Sequence, residues 1–175
     1  MAVLINVSPH PGQSEVHNDP HRFKVLAAGR RWGKTRLGVL ECIDKASAGG
    51  IAWWVAPSYK TSEAGWRPLT QICSHLPTAK ILKAEKTITF PNGGLVAVRS
   101  SEVFDNLRGE GLDLVVVDEC AYQRPEVWSE VLRPALADKI GREGCGVNPV
   151  TGINNLQGSF DMGCAPDLLT GFQNI

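Results

Sequence analysis

Residues Ala28-Gly29-Arg30-Arg31-Trp32-Gly33-Lys34-Thr35 match the pattern G-x-x-x-x-G-K-[ST], with Ala28 in place of the first glycine. A turn of this kind between a strand and a helix aims backbone N–H groups and the helix N-terminus at one point, which attracts a phosphate. Gly33 lets the backbone come close, Lys34 supplies a positive charge for the β- and γ-phosphates, and the Thr35 hydroxyl suits Mg2+. A basic turn that binds nothing is the plain alternative. Phosphate chemistry also needs a carboxylate for the metal and a base for water. Val115-Val116-Val117-Asp118-Glu119 offers both, because a strand of three valines delivers Asp118 at its C-terminal end, where open α/β sheets bind ligands. Asp118 suits Mg2+, largely through water, and Glu119 suits the proton of an attacking water. Such an acid pair is often no more than a solvated strand end; the loop upstream is what gives it meaning.

The elements that must carry these residues can be read from apolar patterning. Residues 23–28 form a short apolar run of strand length, and residues 34–48 read as a helix that stops at Gly49-Gly50. Residues 51–56 (IAWWVA) are continuously apolar up to Pro57, the mark of a strand buried on both faces. Residues 61–76 look helical despite Pro68. Residues 87–90 and 95–99 flank Pro91-Asn92-Gly93-Gly94 and read as a hairpin. Residues 112–117 (LDLVVV) are the strongest strand, and Pro125 opens a helix running to about residue 137. Strands alternating with helices predict an α/β fold, a P-loop NTPase with a mostly parallel sheet flanked by helices. Residues 1–21 read as a loop with a short helix around residues 14–16.

The 175 residues fit one domain, and a composition 43% hydrophobic and 21% charged excludes a disordered chain, a collagen and a coiled coil. Eighteen basic residues balance eighteen acidic ones, so net charge gives no case for wholesale nucleic-acid binding. Locally, Arg22, Lys24, Arg30, Arg31, Lys34 and Arg36 lie close together with no acid among them. The five cysteines are widely spaced and form no CxxC pair, which argues against a disulfide framework and a zinc site. No apolar run is long enough to span a membrane, and the N-terminus lacks a signal-peptide core. A reduced, cytoplasmic protein with no membrane contact is expected.

Three stretches together resemble the ATPase domain of the large terminase subunit, the motor that packages DNA into viral capsids. They are residues 22–38 (RFKVLAAGRRWGKTRLG), 53–60 (WWVAPSYK) and 106–137 (NLRGEGLDLVVVDECAYQRPEVWSEVLRPALA). The resemblance covers about residues 9–139. It implies ATP and Mg2+ as cofactors, hydrolysis coupled to translocation of double-stranded DNA, a ring of subunits, and a portal protein and small terminase subunit as partners. The host cytoplasm is the implied location. In His10-Pro11-Gly12-Gln13 the resemblance makes Gln13 the reader of adenine. It makes Arg108 a finger reaching into a neighbouring subunit, where a guanidinium on the transferring phosphoryl group is worth roughly 10³-fold or more. Arg30 and Arg31 sit within the loop and suit phosphate contact in cis.

Two rival readings stay open: a helicase-like ATPase, which needs a second motor domain, and a truncated remnant that binds nucleotide without turnover. The second draws on residues 140–175, a glycine-rich tail where the resemblance ends and where Val147-Asn148-Pro149-Val150 is the nearest strand candidate. Pro149 cannot donate to a central ladder, so the sheet is expected to be incomplete at its C-terminal end, with residues 1–139 as the ATPase domain. Only Glu143, Asp161 and Asp167 are acids beyond Lys139, so no nuclease domain or nuclease activity is expected. Trp53-Trp54 reads as core rather than as a base-stacking platform. His17 and His21 read as solvated loop residues, and Lys80, Lys83 and Lys86 as a solvated face.

Overall fold

The computed structural model describes residues 8–107, 109–137 and 150–155. In chain order these give α1 (Pro11–Asn18), β1 (Phe23–Ala28), α2 (Lys34–Ser47), β2 (Ile51–Ala56), α3 (Glu63–Cys73), β3 (Lys80–Leu82), β4 (Thr87–Thr89), β5 (Leu95–Ser100) and β6 (Leu114–Asp118). A helix over residues 125–137 (α4) follows, its central turns Val127–Leu132 in π geometry, and then β7 (Val150–Asn155). Short 3-10 turns cover Phe104–Leu107 and Cys120–Tyr122. The strands form one sheet in the order β1-β7-β6-β2-β5-β4-β3. The first five run parallel, and β4 and β3 add to the β5 edge as an antiparallel meander.

The unbroken apolar strands follow from burial on both faces. In β2, Ala52 and Trp54 belong to one hydrophobic cluster while Trp53 and Val55 belong to a second; β6 divides likewise into Leu114 and Val116 against Val115 and Val117. Successive side chains leave a strand on opposite sides, so a central strand needs apolar residues at every position. The first cluster is closed by α2 (Val39, Cys42, Ile43, Ala46) and α3 (Trp66, Leu69, Cys73), the second by α4 (Val127, Val131, Leu132, Leu136). Trp53 and Trp54 are both core residues, 2% and 0% exposed. α3 lies so close to β2 that a Cβ on Gly65 would stand 2.5 Å from the Trp54 indole, so only glycine fits there.

Three expectations are corrected. The N-terminal helix is longer than expected: His10 caps it, Pro11 sits at its first turn, and it ends before Pro20. His17 therefore lies on α1 and pairs with Glu41 of α2 at 2.7 Å, and His21 pairs with Asp19 at 2.6 Å. Lys86 does not belong to a solvated face. It is 4% exposed, with Nζ 2.7 Å from Glu63 Oε1, 2.8 Å from Ser62 Oγ and 3.7 Å above the Tyr59 ring. Lys80 and Lys83 are exposed as expected.

The third correction concerns the gap between β1 and β6. β7 fills it, pairing Phe23–Ala28 with Val150–Asn155 on one side and Val115–Asp118 with Val150–Ile153 on the other. The strand starts one residue after Pro149, so the missing N–H stays out of the ladder. Val150, Thr151 and Ile153 are β-branched, which favours extended backbone. Ile153→Pro would strip a donor from a strand with neighbours on both sides and orphan a carbonyl. The expected cost is about 1–3 kcal/mol for that group alone, a large share of a domain's ~5–15 kcal/mol. Urea unfolding measures it, and an unchanged midpoint would show that β7 does not bear on stability.

Candidate nucleotide site

The loop between β1 and α2 is built from two residues in the left-handed region. Arg31 has φ 66°, and Gly33, the N-cap of α2, has φ 94°. Glycine is favoured at Gly33 by this left-handed conformation, which L side chains rarely adopt. No side chain caps α2, so the N–H groups of its first turn stay available at that end, the kind of place where anions bind.

Lys34 is the first residue of α2 and only 7% exposed. Its ammonium donates back across the loop to the carbonyl oxygens of Ala28 (2.6 Å) and Gly29 (2.9 Å). Burial pulls its pKa below the usual lysine value, and the carboxylates of Glu119 and Asp118 partly offset that. Facing it at the end of β6, Asp118 is 7% exposed. Burial pushes its carboxyl up to about 6 and the neighbouring Glu119 charge adds to this, while the Glu119 N–H, which donates to Oδ1 at 3.1 Å, and Lys34 pull the other way. Glu119 follows with φ 47° and ψ 48°, a left-handed conformation that costs a non-glycine residue roughly 1 kcal/mol. It turns the chain sharply at the strand end.

These groups meet. Arg31, Gly33, Lys34, Thr35, Asp118, Glu119 and Ala64 line one open pocket of about 370 Å3. Thr35 and Asp118 bring a hydroxyl and a carboxylate, hard oxygen donors that fit Mg2+. Gln13 is brought to the loop, but not with a free amide. It is 2% exposed, its Nε2 donates to the Gly33 carbonyl at 3.1 Å, and its Oε1 accepts from the His10 N–H at 3.2 Å. Ala28, Gly29 and Trp32 belong to the loop wall, and the Arg30 side chain is exposed. Arg108 lies outside the described residues.

Two groups near the site are not evident from the sequence. His10 is the N-cap of α1 and also reaches the loop at the Trp32 carbonyl. Gln123 donates to the Asp118 carbonyl at 3.4 Å and accepts a short hydrogen bond from Ser101 Oγ, while the Ser101 N–H donates to Ala56 O at 3.0 Å. The ends of β2, β5 and β6 are thus tied behind the acid pair.

The buried carboxylate makes stability depend on pH. Asp118 holds its proton in the folded chain over a range where the unfolded chain, near 3.8, has already released it. The stability this contributes is complete below about pH 4 and is lost as pH rises through about 6. Without Mg2+, Asp118→Asn should stabilise the protein near pH 8 by up to about 3 kcal/mol, a gap that closes towards pH 4. Urea midpoints at the two pH values test this; a gap of constant size would contradict it.

No family model matches the sequence. The chain is 26% identical over 193 residues to the terminase large subunit of Thermus phage G20c and 27% identical to that of Thermus virus P23-45. Each match takes in 98% of this chain, which spans about 40% of those relatives' length. A 40-residue stretch is 48% identical to the F420-dependent formate dehydrogenase subunit alpha of Methanocaldococcus jannaschii, but this is 6% of that protein and carries no functional reading. Among solved structures, the Thermus phage P74-26 large terminase ATPase domain superposes with a TM-score of 0.72 at 22% identity, covering 89% of this chain and 68% of that one. The HK97 bacteriophage large terminase follows at 0.65 and 18%, covering 86% and 34%. The large terminase of a thermophilic bacteriophage, in complex with ADP, superposes at 0.51 and 17%, covering 75% and 33%. The chain is similar to phage large terminase subunits along almost its whole length and has the fold of the large terminase ATPase domain.

Proposed function

We propose that this chain binds and hydrolyses ATP as the motor domain of a viral DNA-packaging large terminase subunit. The observation that carries the reading is the convergence of Lys34, Thr35, Asp118 and Glu119 on one pocket at the C-terminal edge of a parallel sheet. The Lys34 ammonium needs only to leave two backbone carbonyls to meet the β- and γ-phosphates. Thr35 and Asp118 would hold Mg2+, which when bound neutralises phosphate charge and lowers the pKa of Asp118. Glu119, beside Asp118 but turned by its left-handed backbone, accepts the proton of the attacking water. Arg31, held over the pocket, contacts phosphate in cis, with Arg30 next to it. Arg108 serves as the finger from a neighbouring subunit in a ring.

The wider partners rest on the terminase resemblance: double-stranded DNA as the translocated substrate, a portal protein and a small terminase subunit, in the host cytoplasm. Among the described residues, no helix is long and apolar enough to cross a membrane.

Lys34→Ala should reduce ATP affinity by more than tenfold, since it removes the charge that compensates the phosphates. Glu119→Gln should keep parental affinity and lose phosphate release, because an amide cannot take the water's proton. Calorimetric binding and a phosphate-release assay separate the cases. Affinity unchanged in Lys34→Ala would remove the loop assignment. Parental binding with no release would favour the reading of a nucleotide-binding remnant.

A further inference from the structure

The segment ahead of α1 grips the phosphate loop from behind. The His10 ring faces the Trp32 carbonyl oxygen with Nε2 at 2.9 Å, accepts the Gln13 N–H on Nδ1 at 3.3 Å, and meets the Trp32 indole edge-on with centroids 4.7 Å apart. Because Nδ1 accepts, the neutral ring carries its proton on Nε2, and that N–H donates to a carbonyl that can only accept. Gln13, bonded to the His10 backbone, holds the next carbonyl, that of Gly33. The Gly33 carbonyl also accepts the Leu37 N–H of α2 at 3.0 Å, so α2 and Gln13 share it, whereas among the described residues the Trp32 carbonyl is met by His10. A trans peptide sets its C=O and N–H on opposite sides, so fixing the Trp32 carbonyl on the His10 side points the Gly33 N–H away from His10.

We infer that His10 is a positioning residue for the phosphate loop: by holding the Trp32 carbonyl it aims the Gly33 N–H at the bound phosphate chain. The inference rests on the reading of this loop as a phosphate site. It concerns the phosphates and not the base, so a phosphate chain without any base must feel the change. The tie lies at the surface, and its loss is worth the few-fold effect of one net hydrogen bond.

The test compares Mg-ATP and Mg-tripolyphosphate binding to the whole chain by calorimetry, in the parent, His10→Ala and His10→Asn. Asparagine is a good N-cap and can still accept the Gln13 N–H, but its shorter side chain does not reach the Trp32 carbonyl. His10→Asn should keep the parental melting temperature yet bind both ligands about three- to fivefold more weakly, by the same factor for each. Parental affinity in His10→Asn, with loss only in His10→Ala, would reduce His10 to a helix cap and overturn the inference. A loss confined to ATP would move its role to the base and overturn it too. A parent that binds neither ligand would bring down the phosphate-site reading itself, and the inference with it.

Discussion

A parallel sheet covered on both faces leaves polar groups little room except at the ends of its strands. Here β2, β5, β6 and β7 lie side by side with one polarity, and the apolar side chains of β2 and β6 divide between two helix-covered clusters. Backbone pairing forces the strand ends into one row. Whatever chemistry the chain performs must gather along that row. This is why Lys34, just after the loop that follows β1, and Asp118, at the end of β6, line the same pocket.

Charge at that edge is held under tension. Asp118 and Lys34 are each 7% exposed, and burial works against the charged form of both. Lys34 relieves its own burial by donating to the Ala28 and Gly29 carbonyls. Glu119 is held in a conformation that an ordinary residue avoids. Each is a local cost that the surrounding packing sustains. The N-terminal helix shares in this arrangement, since His10 and Gln13 contact the Trp32 and Gly33 carbonyls of the loop.

Much of this was legible in the residues. The apolar runs at 51–56 and 112–117 carry the mark of buried strands, and β2 and β6 lie within or across them; glycine before Lys34 marks a left-handed turn that the structure contains. The loop and the acid pair were legible as one site because both patterns demand strand ends. What was not legible depends on partners distant in sequence. Lys86 reads as a surface lysine until α3 brings Glu63 and Ser62 to it. Gln13 reads as a free amide until α1 packs it under Gly33. β7 is weakly patterned, and Pro149 beside it argued against a strand; its place comes from the open position between β1 and β6.

The central claim is that the loop and the acid pair form one site for a magnesium-bound nucleoside triphosphate. The most direct measurement is a structure of the chain with Mg2+ and a non-hydrolysable ATP analogue. The Lys34 ammonium should be found released from the Ala28 and Gly29 carbonyls and bonded to phosphate oxygens, with Thr35 and Asp118 facing the metal. An analogue seated elsewhere, with Lys34 still bonded to those two carbonyls, would contradict it.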